Sequence, residues 1–259
     1  MQYNYFIKKT TLFFVFFTFS HLIFAQKQDS TKQPLNFSSA VSVTNTGISL
    51  LPSFSLGKPA AIFDMVLKKK KLSFEPQLRF ALDGKPWSFI FWWRYKLLKT
   101  NKFSLGIGAH PSFLFKITTD AVVNGVTKNL ISTQRYLATE IVPNFAISKN
   151  VSIGAYYLYS HCLEKDGVQN TNFVTLNANI SNIKLYKDFS MRFSPQVFYL
   201  KMDKTDGFYA NAALTFSKKN FPLSFALFGN QKIKSTIVSK DFVWNATLIY
   251  AINKKYIEQ

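Results

Sequence analysis

Cysteine occurs once in the 259 residues and histidine three times. A single thiol allows no internal disulfide and no multi-thiolate metal site, and so few imidazoles leave no His-rich metal centre. Charged side chains are scarce as well, at 17%, where soluble chains carry about a quarter. No interior stretch approaches the run of about 18 apolar residues that a membrane-crossing helix needs, which excludes a polytopic helical membrane protein. Aromatic residues are abundant instead: 28 Phe, 12 Tyr and 4 Trp make up 17% of the chain. That excess excludes a disordered chain. What remains is one large β-rich domain, or a chain that meets lipid by some route other than helices.

The N-terminus reads as an address. Lys8 and Lys9 precede an apolar run from Leu12 to Ala25, after which Gln26 opens a polar stretch. A basic start, a short apolar run and a small residue before the break describe a secretory signal peptide. Residues 1–25 are therefore assigned as a signal peptide, 26–36 as a flexible segment and 37–256 as the folded domain. No Cys follows the break, so no lipid anchor is indicated, and the lone Cys162 suits an exported chain without internal bridges.

The rest of the chain alternates with period two. From Leu72 to Leu82, Leu72, Phe74, Pro76, Leu78 and Phe80 share one face, and Ser73, Glu75, Gln77, Arg79 and Ala81 the other. Trp87, Phe89, Phe91, Trp93 and Tyr95 repeat the pattern against Ser88, Ile90, Trp92 and Arg94, after the turn Asp83-Gly84-Lys85-Pro86. This is strand alternation. It recurs in segments beginning near residues 103, 137, 151, 173, 189, 208, 223 and 242, and in shorter runs at 47–56 and 61–68. The register slips near Asn182, which suggests a bulge.

Charge placement separates the two all-β solutions. Asp64, Glu75, Arg79, Arg94, His110, Glu140 and Arg192 fall on the polar face of their segments, while Arg135, His161 and Lys201 break the rule only at segment ends. Otherwise that face is mostly Ser, Asn, Gln, Gly and Ala, unlike the Lys/Glu surface of a soluble sandwich. Trp87, Tyr95, Tyr157, Tyr159, Tyr199, Trp244 and Tyr250 sit on the apolar face toward segment ends, as interfacial aromatic girdles do. The pattern predicts an all-β fold: a closed antiparallel transmembrane β-barrel with the candidate charges lining its lumen.

Tight links at 68–71, 99–102, 149–150, 186–188 and 218–220 alternate with longer ones at 83–86, 117–134, 162–170, 202–207 and 231–240. Outer-membrane barrels have short periplasmic turns and longer outer loops. Counting back from the last strand gives twelve, the first being the segment at Gly47. Residues 37–44 either extend that strand or add a pair to make fourteen.

The cleaved leader, the alternating strands and the aromatic last strand near Tyr250 resemble Gram-negative outer-membrane barrels. The stretches SFSLGKPA (53–60), GKPWSFIFWWRYK (84–96), GIGAHPSF (106–113) and YYLYS (156–160) resemble uncharacterised outer-membrane barrels of Bacteroidota. The resemblance implies location and fold, and it brings no established activity.

The net charge of +19 includes Lys8 and Lys9 of the leader. Nucleic acid is not expected as a partner, because the chain is exported and lacks a basic strip interleaved with aromatics. Many lysines fall in the tight links, where they are solvated or face anionic headgroups. The expected partners are outer-membrane lipids, a small solute and, during biogenesis, the barrel-assembly machinery. His110-Pro111-Ser112 resembles the His-x-Ser order of outer-membrane phospholipase. However, both side chains take inward parity, that family's dyad faces lipid, and no glycine-rich Asn motif follows; catalysis is disfavoured. No nucleotide loop or metal-ligand spacing occurs, so no cofactor is expected. The leading reading is a channel or binding barrel for small solutes, and the alternative is a structural component of an outer-membrane complex. N-terminal sequencing of the exported protein should begin near Gln26; retention of Met1 would contradict the leader.

Overall fold

A computed structural model describes residues 34–50, 52–123 and 126–256. The expected signal peptide, residues 26–33 and the tip Asn124-Gly125 lie outside the described residues. Twelve strands follow one another: β1 (Leu35–Thr44), β2 (Ala60–Lys69), β3 (Leu72–Ala81), β4 (Pro86–Lys99), β5 (Phe103–Val123), β6 (Val126–Ala146), β7 (Val151–Cys162), β8 (Asn170–Tyr186), β9 (Phe189–Met202), β10 (Thr205–Lys218), β11 (Leu223–Ser235) and β12 (Phe242–Tyr256). Each pairs with its sequence neighbours, and β1 closes the barrel on β12 from Leu35↔Tyr256 to Thr44↔Thr247. Around the ring no strand is left as an open edge.

The strand number matches the expectation, but the first member does not. The barrel opens with Leu35–Thr44, the stretch left unassigned, and no separate pair makes fourteen. The segment at Gly47 is no strand. Residues 45–59 fold into the barrel mouth around a short 3-10 turn, Pro52–Phe54. Their apolar residues alternate because they fill that mouth. Gly47 sits tightly there: a Cβ would lie 3.0 Å from Leu56 Cβ, 3.1 Å from the Trp87 ring and 3.3 Å from Ala60 Cβ. Of residues 117–134, expected as a loop, 117–123 and 126–134 are instead strand. β5 and β6 pair out to Val123↔Val126, whereas β4 leaves β5 at Leu114 and β7 leaves β6 at Tyr136. Ile, Val and Thr in this stretch favour extended backbone, and Asn-Gly suits a hairpin tip. The link expected at 202–207 is also tight, since only Asp203 and Lys204 separate β9 from β10.

Residues opposite one another across the ladder share a face. Ala81, Ala60, Thr44, Thr247, Ala226, Thr215 and Arg192 form one such inward row. The outer face is a belt of large apolar side chains, with Leu176 62% exposed and Leu248 53% exposed. Pro76, Pro111, Pro143 and Pro195 sit inside strands. Beside each, pairing lapses on one side, as between Ile90↔Ser112 and Trp93↔Ala109 or between Asn177↔Gln196 and Ile180↔Phe193. Proline has no N–H to give, so it is tolerated where the ladder already skips. The expected slip near Asn182 is present: the β8–β9 register shifts between Ile180 and Ile183, and Asn182 takes φ 55°.

The buried side chains gather in the lumen at the long-loop end, in two clusters. One joins Phe54, Ala60, Trp87, Leu114, Tyr136 and Cys162. The other joins Phe173, Phe198, Leu200, Met202, Tyr209 and Ile237, with Leu50 packed against it. The two faces should respond differently to charge. Leu176→Lys, pointing outward, is expected to cost the vesicle-refolded barrel about 2–4 kcal/mol, and Gln196→Lys, pointing into the lumen, less than half as much. Denaturant unfolding in lipid vesicles measures both; equal costs would contradict the assignment of faces.

Candidate functional site

All seven charged or titratable candidates face the lumen, and the fold joins three of them directly. Arg94 on β4 lies between Glu75 on β3 and Glu140 on β6. Its Nε donates to Glu140 Oε1 at 2.6 Å, its Nη2 reaches Glu140 Oε2 at 3.3 Å, and its Nη1 pairs with Glu75 Oε2. The carboxylates are held from behind: Ser73 Oγ donates to Glu75 at 2.6 Å and Tyr156 Oη to Glu140 at 2.8 Å. Glu140 is 3% exposed, so its charge depends on these partners. Gly108, opposite both Arg94 and Glu140, makes room; a Cβ there would stand 2.8 Å from Glu140 Oε1.

Above this ladder, toward the long loops, Trp92 is clasped from both sides. The Arg94 guanidinium lies 4.2 Å from its ring centroid, and His110 meets it edge-on at 4.0 Å. Arg79 has a different environment. Its Nη2 donates to Gln77 Oε1 at 2.9 Å, and its guanidinium lies 5.2 Å from the Trp87 ring. Its buried Nε has no hydrogen-bond partner, and neither does Asp64 Oδ1. Asp64 acts on Arg79 through space and bonds to the intervening Gln77. Arg192 stands apart from both groups, exposed toward the short-turn end of the lumen.

Residues 45–59 form the roof. Gly47 N donates to Lys58 O at 2.8 Å and Leu56 N to Gly47 O at 2.8 Å, closing the segment on itself. Trp87 Nε1 donates to Phe54 O at 2.7 Å and pins it to the wall. Phe54 packs against Tyr136 at 4.9 Å. Beneath the roof is a cavity of about 610 Å³, lined among others by Leu50, Phe54, Arg79, Trp92, Phe173 and Gln196. Two apolar and aromatic clusters occupy the long-loop half of the lumen, beside buried polar groups such as Ser88, Ser112 and Gln134. The inward parity of Trp92, Tyr156, Phe173 and Phe198 was the signal for this in the sequence.

Six of the seven girdle candidates point outward. Tyr95 and Tyr250 stand near the short-turn end, and Tyr157, Tyr159, Tyr199 and Trp244 stand at or toward the long-loop end. Tyr157 donates to Asn172 Oδ1 at 2.9 Å, Tyr159 to Asn170 Oδ1 at 2.7 Å and Tyr199 to Asp206 Oδ2 at 2.8 Å. Trp87 is the exception and is 2% exposed. Arg79 faces Ser88 and Phe80 faces Pro86, so Trp87 has no opposite residue, and this bulge swings its indole inward. Trp93, 51% exposed, was not counted with the girdle and faces outward.

The charges that broke alternation lie at the long-loop rim. Arg135 Nε donates to Glu164 Oε1 at 2.6 Å, and the Arg135 backbone N–H with its guanidinium holds the Glu164 carboxyl below its usual range. His161 Nδ1 lies 3.3 Å from Asn170 Oδ1. Ser112 is buried inside the barrel with His110, as its parity implied. No group of three or more His, Cys, Asp or Glu positioned to hold a metal ion occurs among the described residues.

No protein-family model matches the chain, and no curated protein matches it. Among solved structures, an outer membrane channel from Pseudomonas putida F1 overlays with a TM-score of 0.47 at 8% identity, covering 88% of this chain and 100% of that one. KdgM porin in complex with disordered oligogalacturonate overlays at 0.46 and 9% identity, covering 83% and 98%. NanC porin overlays at 0.43 and 8% identity, covering 87% and 100%. The ladder of this chain makes its own demand. Glu140→Ala leaves Arg94 one carboxylate short and is expected to cost about 1–3 kcal/mol in denaturant unfolding, with no loss if the ladder is only a solvated surface.

Proposed function

We propose that the chain is an exported outer-membrane barrel that admits a small solute to its lumen, with residues 45–59 as the closure at the outer mouth. In this reading the short-turn end is periplasmic and the long-loop end faces outward. Several features support the membrane assignment: the apolar outer belt, the tyrosines and tryptophan toward its two ends, and the confinement of charge to lumen and rims. The lysines of the short turns then meet the periplasmic leaflet, where anionic headgroups attract them.

The observation that carries the solute reading is the cavity under the roof. A barrel serving only as a scaffold gains nothing from a cavity with a buried, unsatisfied guanidinium N–H in its wall. The roof lies between β1 and β2 and is held by stem hydrogen bonds, the Trp87 indole and the packing of Leu50, Phe54 and Leu56, none of them ladder bonds, so it can leave without breaking the ladder.

We also place the chain among the uncharacterised Bacteroidota barrels that its sequence resembles. The stretches that carry the likeness are the ones that build the interior. Residues 53–60 belong to the roof, 84–96 carry Trp87, Trp92 and Arg94, 106–113 carry Gly108 and His110, and 156–160 carry Tyr156.

Replacing residues 48–56 by a short Gly-Ser linker tests the closure. In planar bilayers the native protein should show low or flickering current, and the variant a larger, steadier one. Arg79→Ala and Arg94→Ala should each alter ion selectivity. No conductance from either protein, with no liposome swelling, would overturn the solute reading in favour of a structural barrel.

A further inference from the structure

The cavity wall is chemically lopsided. Among its lining residues Arg79 is the one permanently charged side chain, and no carboxylate lines it. Glu75 and Glu140 are both engaged by Arg94, outside the cavity lining. Asp64 also lies outside that lining, linked to Gln77, whose amide oxygen takes one Arg79 N–H. The nearest acid is thus a charge neighbour of Arg79 rather than a ligand inside the cavity.

Arg79 is also incompletely satisfied. Nη2 has Gln77, the guanidinium leans on Trp87, and the buried Nε–H has nothing to donate to. A guanidinium presents its N–H groups in a fork that matches a carboxylate, and such charge-assisted bonds are short and strong.

The remainder of the wall suits an apolar body. Phe54, Ile90, Trp92, Leu158 and Phe173 face the space, and aromatic walls of this kind hold flat or slender apolar groups by contact area and ring-edge geometry. Asn177, Gln196 and Ser194 add neutral hydrogen-bonding groups. A volume of about 610 Å³ accommodates a molecule of metabolite size.

Building on the solute reading above, we propose that the cavity selects small amphipathic monoanions, a carboxylate on an aromatic or short aliphatic body. The carboxylate accepts from the terminal N–H groups of the Arg79 guanidinium, and the body lies among Phe54, Trp92 and Phe173 under the roof. An anion lacking the body, or a body lacking the charge, uses half of the site.

Equilibrium binding to the full-length barrel, folded in bilayer nanodiscs, tests this with 3-phenylpropionate, its neutral amide and acetate, with empty nanodiscs subtracted. The acid is expected to bind about tenfold or more tighter than the amide, in keeping with one charge-assisted pair, and acetate weakly or not at all. Arg79→Gln should erase the preference of acid over amide, and Lys149→Gln in a short turn should leave it intact. The comparison of acid with amide in the unmodified protein stands even if Arg79→Gln fails to fold. Equal binding of acid and amide, or acetate binding as tightly as the acid, overturns the proposal. If the barrel conducts yet shows no preference, this proposal falls alone; if it neither conducts nor binds any probe, the solute reading falls with it.

Discussion

Closure of the sheet between β1 and β12 is the constraint on which the rest of the structure depends. Once the ladder is circular, every strand has two neighbours and every residue one of two faces. An apolar outer face then leaves only the lumen and the two rims for charge. Arg94 is the consequence. Placed inward among packed side chains, it takes Glu75 from the adjacent β3 and Glu140 from β6 across β5, and those carboxylates take Ser73 and Tyr156. The network crosses from β3 to β7, a span of five of the twelve strands. Gly108 is the space it needs.

The lumen is divided along its axis. Residues near the short turns keep a polar wall, and those near the long loops pack as a core would. That division comes from residues 45–59. Because this segment turns inward, it brings Leu50, Phe54 and Leu56 against inward-facing aromatics on six or more strands. The single Trp87 indole serves both the packing and the anchoring, since its ring lies in the cluster and its N–H meets Phe54 O. Arg79, on the same ring from the other side, connects the roof to the cavity beneath it.

The alternation made the faces legible, because a one-residue slip would move every side chain to the wrong side. Glu75, Arg94 and Glu140 were recognisable as lumen residues from parity alone, and Tyr95, Tyr157 and Trp244 as outward aromatics. Two kinds of feature were not legible. Residues 47–56 alternate like a strand because they fill a mouth, and only the partner strands show that β1 is Leu35–Thr44. Trp87 reads as outward by counting from Phe89, and a bulge with no local sequence mark reverses it. Long-range pairing decides both, and periodicity carries no information about it. The joining of Arg94 to Glu140, 46 positions apart, is of the same kind.

The claim at the centre of this account is that residues 45–59 seal the mouth of a closed barrel, and the chain carries its own reporter. Cys162, 1% exposed, packs in the cluster with Phe54, Trp87 and Tyr136. The rate of its modification by a water-soluble maleimide, in the barrel folded into a bilayer, measures how well the mouth is packed. With the segment in the mouth, reaction is expected at least about 100-fold slower than in the unfolded chain, the protection expected of a core position. A rate close to that of the unfolded chain would mean that the segment does not rest in the mouth.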